Sequence, residues 1–410
     1  MKTRRFALLL ILLLLAGCGQ TGGTRNLTRN VDPVSTEVSQ TLESREAAAL
    51  AGFSLELLKE TWTGEPILIS PLSVLSALGM AANGAEGRTR EEIESVLGLP
   101  VERLNAVLAA WTANLPQEKR CRVNLANSLW IRDGGTFQVD QGFLETVAGW
   151  YQAEVFASEF DAAALQELNR WVNKNTHGMI PEILKEIPGE AVMYLVNALA
   201  LEAEWETVYR DGQVRADRIF TTEDGREQPV TLMYSSEGLY LEDETALGFM
   251  KPYQGGRWAF AALLPEEGVT LEAYLASLTG ERLHELLEAA EETLVYAAIP
   301  KFQCRYGANL SKSLKAMGMP EAFDPDRADF SGMGSCSLGP LYISGVLHET
   351  YLAVDEKGTR AGAATAVEMS GGSAGPGAAP EVYLDRPFLY MLVDRETNLP
   401  AFIGVVTDIR

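Results

Sequence analysis

One segment of this chain combines the alternation of a buried strand with the composition of an exposed loop. From Thr359 onward every second residue is uncharged and mostly small, whereas the residues between them include Arg360 and Glu368. Such period-two sorting predicts a strand with one buried face. The uncharged positions are Thr359, Ala361, Ala363, Thr365, Val367 and Met369. Gly362 and a Ser-, Gly-, Pro- and Ala-rich run at residues 370–380 instead indicate a mobile loop. A loop that can become a central strand can store folding energy and release it when cut.

The rest of the chain has the pattern of a large α+β domain. Of its 410 residues, 47% are apolar, which is ample for a sizeable core. Apolar residues at helical spacing predict helices at 43–60, 161–176 and 283–290. Alternating or continuous apolar runs predict strands at 123–131, 191–201 and 401–406. Because helices and strands are interspersed without a regular crossover repeat, the pattern favours α+β over a doubly wound fold.

The first residues have the layout of an export signal. Three basic residues precede an apolar run at residues 6–15, which is too short for a stable transmembrane helix because a bilayer crossing needs roughly 20 apolar residues. The quartet Leu-Ala-Gly-Cys at residues 15–18 resembles the cleavage box of bacterial lipoproteins. The sequence therefore predicts a lipoprotein signal peptide at residues 1–17 and a lipid anchor on Cys18. A plain secretory signal is the alternative.

Residues 18–42 are predicted to be a flexible tether, and residues 43–410 the folded domain. The tether is rich in Thr, Asn, Ser and Gly, and a coil of ~25 residues would hold the domain roughly 25 to 30 Å from its anchor. We therefore expect an exported protein, lipid-anchored at the cell envelope or released outside the cell, that meets the membrane only through the lipid. We also expect it to be a monomer.

The charge of the chain excludes one class of partner. Its formal net charge is -22, and loss of the three basic residues within residues 1–17 would bring the mature chain to -25. A protein this acidic is repelled by nucleic acids and by anionic surfaces. We expect no nucleic-acid partner.

The cysteines and histidines do not indicate a redox, metal or cofactor site. Besides Cys18 the chain has Cys121, Cys304 and Cys336, which could form one disulfide in any of three ways, but their odd number and wide spacing favour three buried free thiols. We expect His177 and His284 to be exposed, and neither has the neighbours of a metal site. The sequence also contains no phosphate loop or dinucleotide fingerprint. We expect no metal and no cofactor.

One short motif would fit a hydrolase. Residues 371–375 match G-x-S-x-G, the turn that exposes a nucleophilic serine, here Ser373, between a strand and a helix. Pro376 and Pro380 follow at once, so a helix cannot begin where that turn requires one. The sequence therefore predicts binding rather than catalysis, and a hydrolase remains a distant alternative.

Six segments, in order along the chain, resemble the motifs of the serpin family. They are ILISPLSVLSAL from residue 67, NGAEGRTR from 83, LNRWVNKNTHGMIP from 168, LVNAL from 195, the run at 259–265 ending in LLP, and EKGT from 356. The resemblance covers residues 43–410. It implies the serpin fold, in which many helices surround three β-sheets and an exposed reactive-centre loop can insert into the main sheet.

The resemblance also implies a mechanism. In that family a protease attacks the loop as it would a substrate. Loop insertion is a known case of strand addition that releases strain. A serine or cysteine protease outside the cell would attack the bond between Gly372 and Ser373, with Met369 or Ala374 as alternative positions. The freed loop would then insert and trap the acyl-enzyme. Small residues around the bond suggest elastase-like or subtilisin-like targets. The alternative is a non-inhibitory serpin that acts as a binding or storage protein.

Further residues acquire roles only through the resemblance. The family's hinge, where the loop begins to insert, corresponds to Glu356, Gly358, Thr359, Ala361, Ala363 and Thr365. Its shutter, the polar group at the centre of the sheet, corresponds to Ser70, Ser73, Asn197 and His348. Its breach, where the hinge first enters, corresponds to Trp205 and to Lys301, the expected partner of Glu356. Arg360 departs from the acidic residue usual at its position, and the residues before Trp205 depart from the usual lysine-glycine context.

Overall fold

The computed structural model describes residues 23–32, 42–134, 137–335, 339–359 and 379–409. Several predicted residues lie outside these ranges and keep only their sequence-based interpretation. They are Cys18, Cys336, Arg360, Ala361, Ala363, Thr365, Met369, Gly372, Ser373 and Ala374.

The described residues contain nine α-helices. Numbered along the chain, they are α1 Ser44–Thr61, α2 Pro71–Ala82, α3 Gly87–Leu97, α4 Val101–Ala113, α5 Gln141–Tyr151, α6 Ala162–Asn175, α7 Leu271–Ser277, α8 Gly280–Glu288 and α9 Ser311–Met317. Apolar spacing predicted α1, α6 and α8 to within a few residues. Asp161 starts α6 because its carboxylate accepts the main-chain N–H of Ala164 at 2.9 Å. Within the described ranges, no helix is both long and apolar enough to cross a membrane.

The main sheet has eight strands. They are β1 Arg25–Asn26, β3 Gln117–Glu118, β4 Cys121–Arg132, β6 Glu154–Ser158, β7 Met193–Glu204, β14 Phe302–Asn309, β16 Gly345–Asp355 and β17 Gly358–Thr359. Their order is β1, β6, β4, β7, β17, β16, β14, and β3 pairs with one end of β4. The predicted strands at residues 123–131 and 191–201 are the central strands β4 and β7.

Two further sheets pack around the same core. The six-stranded sheet has the order β10 Leu239–Glu242, β11 Ala246–Pro252, β12 Trp258–Pro265, β19 Phe388–Asp394, β20 Leu399–Val406 and β2 Ile67–Ile69. The four-stranded sheet has the order β18 Glu381–Tyr383, β13 Val295–Pro300, β9 Glu227–Glu237 and β8 Val214–Thr221. A short ribbon pairs β5 Gln138–Val139 with β15 Gly334–Ser335. The α+β class and the three predicted sheets are confirmed.

The segment around β1 departs from the coil expected of a tether. β1 pairs antiparallel with β6 and extends the main sheet at its edge. The Arg25 guanidinium forms an ion pair with the Asp133 carboxylate, and Asn26 Nδ2 donates to Glu154 Oε1 at 2.7 Å. Leu27 packs against the hydrophobic core. A polar segment can be ordered in this way because the sheet edge offers it unpaired backbone groups, a possibility that composition does not show.

One expectation about a histidine was wrong. His177 is exposed, as predicted, but only 5% of His284 is accessible to solvent. His284 lies on the same face of α8 as Leu283 and Leu287, and this face packs against α1. The spacing of these three residues along the helix places them on one face, which predicts that His284 is buried with its two leucine neighbours.

The two described cysteines are free and buried. Burial raises the pKa of the Cys121 thiol to about 12 and that of Cys304 to about 11, so neither thiol forms a reactive thiolate near neutral pH. Within the described ranges, no group of three or more His, Cys, Asp or Glu side chains could hold a metal ion.

Candidate functional site

The centre of the main sheet contains a gap between β7 and β16. The two strands pair in parallel only at one end, where residues 194–196 lie opposite residues 345–347. At the other end β17 stands between them and pairs antiparallel with both. Between these contacts, the facing sides of residues 197–202 and 348–353 pair with no strand in the described part of the chain. We call this gap the slot. Another strand could pair with the backbone groups that line it.

The predicted hinge begins at the head of the slot. Thr359 is 1% exposed, and its Oγ1 lies 2.5 Å from the hydroxyl of Tyr253, so its side chain points into the core. Gly358 has φ 154°, and a Cβ at this position would lie 2.0 Å from the carbonyl oxygen of Ala203. Only glycine allows the chain to approach β7 this closely. Two residues of the hinge, Gly358 and Thr359, therefore already form a strand at the head of the slot.

Trp205 holds the start of the hinge in place. Its indole is fully buried and stacks on Tyr253 with 4.6 Å between ring centroids. The indole N–H donates to the carbonyl of Asp355, and the main-chain N–H of Trp205 donates to the carbonyl of Lys357, both at 2.9 Å. Trp205 is thus a packed aromatic residue that also fixes the chain on either side of Glu356.

The predicted pair of Lys301 and Glu356 is present at the base of the hinge. Their side chains are 2.6 Å apart, between Nζ and Oε2, and each is 37% exposed. The hydrogen bond from Lys301 lowers the pKa of Glu356. Because solvent screens such a pair, we expect it to contribute no more than about 1 kcal/mol to stability. It orients the hinge more than it stabilises the fold.

A buried ion pair beneath Trp205 was missed by the sequence analysis. Lys251 on β11 lies 2.7 Å from Glu237 on β9, and both side chains are buried. The Lys251 ammonium also lies 4.5 Å from the ring centroid of Tyr209 and 5.5 Å from that of Trp205. A lysine in an otherwise apolar strand indicates a buried charge with a partner, and this pattern is visible in the sequence. The pair joins two sheets under the head of the slot.

Three of the four predicted shutter residues form one network. Ser70 precedes α2, and its Oγ accepts the main-chain N–H of Ser73 at 3.2 Å and donates to the carbonyl of Ala401 at 2.9 Å. The main-chain N–H of Ser70 donates to Nε2 of His348 at 3.1 Å. His348 is therefore a neutral acceptor at Nε2, and the network ties α2 to β16 on one side of the slot.

The fourth shutter residue belongs to a separate network on the other side of the slot. Asn197 donates through its side-chain amide to that of Asn127, and Asn127 in turn donates to the carbonyl of Tyr151 at 3.0 Å. Asn127 was missed by the sequence analysis, although it stands in the buried stripe of β4 among apolar residues. A buried polar residue needs a hydrogen-bond partner, so an asparagine in such a stripe predicts a polar network at this position.

Acid should destabilise the fold through His348. Burial lowers the pKa of His348 from 6.5 to about 4, so the unfolded chain binds a proton more readily than the folded chain does. The stabilisation present above pH 6.5 is lost as the pH falls towards 4, by up to about 3 kcal/mol. Urea unfolding at a series of pH values measures this loss. We expect His348→Gln to remove most of this slope; a slope in His348→Gln equal to that of the wild-type chain would contradict the assignment.

Known proteins share this fold. A family model described as Serpin (serine protease inhibitor) matches residues 48–409. A serpin-like protein of Thermococcus kodakarensis is 29% identical over 369 residues, which are 87% of this chain and 84% of that protein. Human thyroxine-binding globulin, solved in complex with thyroxine, is 25% identical, with a TM-score of 0.79 over 89% of this chain and 99% of its own.

The similarity is greater to tengpin, a thermophilic serpin solved in two states. Its native-state structure is 40% identical and has a TM-score of 0.88 over 94% of this chain and 100% of its own. Its latent-state structure gives a TM-score of 0.80 over 91% of this chain. The described arrangement thus agrees better with the native state. The chain has the serpin fold and belongs to the serpin family.

Proposed function

We propose that the chain is a suicide-type inhibitor of extracellular serine proteases, and that it traps the acyl-enzyme by inserting its reactive loop into the slot. One observation carries this proposal: β17 already fills the head of the slot, and below it the facing edges of β7 and β16 pair with no strand among the described residues. The sequence that follows Thr359 has the alternation of a strand with one buried face.

The register of β17 fixes where each inserted residue would go. Gly358 and Thr359 lie opposite Glu204 and Ala203 on one side. If this register continues, Ala361 enters between Leu201 and Leu352, Ala363 between Leu199 and Thr350, and Thr365 between the two shutter residues Asn197 and His348. All three share the inward side of Thr359 because side chains in a strand alternate. Small side chains suit these positions because the interior is close-packed.

Insertion has a sufficient driving force. About a dozen new backbone hydrogen bonds, at ~0.5 to 1.5 kcal/mol each, would release on the order of 10 kcal/mol before packing is counted. Insertion beyond Thr365 requires that the short parallel pairing between residues 194–196 and 345–347 be broken. Part of the released free energy offsets the cost of breaking it. The remainder is available to distort a bound protease.

The chemical step belongs to the protease. Its nucleophilic serine Oγ attacks the carbonyl carbon of Gly372, the peptide bond to Ser373 breaks, and the amine of Ser373 leaves with a proton from the protease's general base. The ester then joins protease and inhibitor. If the loop inserts before water attacks, the ester is carried along a strand of roughly 45 Å and the active site is deformed. Met369 and Ala374 are the alternative positions of attack.

Gel electrophoresis tests inhibition directly. The chain is incubated with an elastase and with subtilisin, boiled in detergent and run on a gel. We expect a band at the summed mass of inhibitor and protease, which only a covalent bond can preserve. Clean cleavage of the loop with no such band for either enzyme would overturn the proposal. Esterase activity that Ser373→Ala abolishes would instead support a hydrolase.

A second candidate function is small-molecule binding. A cavity of about 260 Å³ lies among α1, α4, α8 and the turn before β20, and Trp111 and His284 line it. The indole N–H of Trp111 is buried and has no hydrogen-bond partner among the described residues. A serpin relative binds thyroxine, so thyroxine is the probe. A rise in melting temperature with thyroxine, reduced in Trp111→Phe, would support binding; an unchanged melting temperature would exclude it for this ligand.

We also propose that Cys18 carries a lipid anchor. Six residues would then separate the anchor from β1, a span of roughly 20 Å at full extension, which is shorter than a 25-residue coil would give. The domain would lie close to the membrane that holds it. Incorporation of labelled palmitate into the wild-type chain, and its loss in Cys18→Ser, tests the anchor. A wild-type chain that incorporates no label would contradict it.

A further inference from the structure

The four-stranded sheet carries a surface that the trapping mechanism does not use. Arg215 on β8, Tyr234 on β9, Tyr296 on β13 and Tyr383 on β18 line a groove of about 560 Å³, and Arg218 completes it. We call this surface the arginine–tyrosine groove. Three tyrosines and two arginines of neighbouring strands thus share one concave surface. Tyrosine and arginine are among the residue types that are enriched where proteins bind each other tightly.

The charge of the groove differs from that of the protein. The whole chain has a net charge of -22, yet Arg215 and Arg218 are exposed and neither forms an ion pair with a described residue. The Arg218 guanidinium lies 5.8 Å from the ring centroid of Tyr234, which keeps it over the sheet. The neighbouring carboxylates include Asp217, which lies between the two arginines on β8, and Glu381, which lies opposite Tyr296 in register. Two arginines therefore face solvent together and can accept carboxylates in bidentate geometry.

Exposed apolar side chains concentrate around the same sheet. Among the described residues, the large apolar side chains that are exposed are Ile219 at 44%, Tyr296 at 38% and Leu294 at 36%. Ile219 lies on β8, Tyr296 on β13, and Leu294 directly precedes β13. Tyr296 lines the groove and Leu294 lies two residues before it, whereas Ile219 lies opposite Pro229, towards the other end of the sheet. An exposed aromatic residue in a groove is typical of an interaction surface.

The groove also lies beside the point where the reactive loop rejoins the fold. The main-chain N–H of Tyr296 donates to the carbonyl of Pro380 at 2.9 Å, and β18 begins at the next residue. Gly372 is eight residues before Pro380, so the proposed reactive bond is at most roughly 30 Å away along the chain. A protease that holds this bond in its active site therefore has part of its surface within reach of the groove.

We infer that the arginine–tyrosine groove is a secondary docking site for the target protease, and that it binds an acidic segment of the protease surface beside the active-site cleft. This inference rests on the proposed inhibitory function. The arginines attract carboxylates and raise the rate of encounter, and the tyrosines provide apolar contact. The loop would then determine which bond is cut, whereas the groove would select among proteases that cut the same bond.

Association kinetics test this inference. The double variant Arg215→Glu/Arg218→Glu is compared with Arg170→Glu/Lys185→Glu, which changes two exposed basic residues, on and after α6, by the same total charge. The second-order rate constant of inhibition is measured with the protease, elastase or subtilisin, that forms the boiling-resistant complex. At about 50 mM salt we expect at least a tenfold lower rate for the groove variant and little change for the control, and near-equal rates at about 500 mM.

Two further measurements separate docking from other effects. The stoichiometry of inhibition should stay the same in the groove variant, because insertion is untouched. Tyr296→Ala should slow association several-fold at both salt concentrations, since it removes apolar contact. Rate constants equal to those of the control variant would overturn the inference while leaving the proposed function intact. Failure of the wild-type chain to form any covalent complex would overturn the proposed function, and the inference with it.

Discussion

Replacing Thr359 by arginine is expected to turn the chain from an inhibitor of proteases into a substrate that they cleave and release. Thr359 is 1% exposed and bonds to the Tyr253 hydroxyl, so an arginine should keep this position out of the sheet in the intact chain, and insertion would have to bury its guanidinium without a carboxylate partner. Burial of an unpaired charge costs several kcal/mol. Insertion would slow below the rate of ester hydrolysis. The stoichiometry of inhibition, measured by titration against a fixed amount of protease, should rise at least tenfold, as expected for a barrier higher by ~1.4 kcal/mol or more.

Arg360→Glu is the matched control for this experiment. The alternation of the sequence places residue 360 on the side of the strand opposite to Thr359. A charge reversal there should change the stoichiometry little. If Thr359→Arg and Arg360→Glu inhibit with the stoichiometry of the wild-type chain, the inserted register derived from β17 is wrong.

Cleavage of the loop is expected to raise the thermal stability of the protein. Filling the slot adds on the order of 10 kcal/mol of backbone pairing, and a domain of this size unfolds with an entropy of ~2 cal/mol/K per residue. The midpoint of thermal unfolding should therefore rise by on the order of 10 °C or more. Calorimetry of the intact chain and of a chain cut once within residues 360–378 measures this difference.

The Thr359→Arg variant also serves as a control for cleavage. If the gain in stability comes from insertion, the cut variant should melt close to its own intact form, because the loop cannot enter past the buried arginine. If the gain came instead from relief of strain in the loop itself, the cut variant and the cut wild-type chain would gain equally.

Much of the scaffold could be predicted because its signals are local. The periodicity of apolar residues identified α1, α6, β4, β7 and β20 to within a few residues. Resemblance to a family then supplied what periodicity cannot, namely which polar residues meet. His348 is 278 residues away from Ser70 in sequence, and the structure joins it with Ser70 and Ser73 in one network. The pair of Lys301 and Glu356 was predicted in the same way.

The remaining features depend on contacts that no local pattern encodes. Tyr253 meets Thr359 across 106 residues, and nothing in the sequence around either residue indicates the contact. Asn127 and Lys251 are each a polar residue in an apolar strand, which indicates that each needs a polar partner. The sequence does not show which residue that partner is. β1 has almost no apolar content and is ordered by the edge of β6. The sequence could not show that this edge was free to pair.

Hydrogen–deuterium exchange at the slot tests loop insertion most directly. In the intact chain, the main-chain amides of residues 197–202 and 348–353 that point into the slot should exchange rapidly, whereas those paired to β4 and β14 should be protected. After a single cut within residues 360–378, we expect the slot-facing amides to become protected together. If they exchange as fast after the cut as before it, the loop does not enter the main sheet.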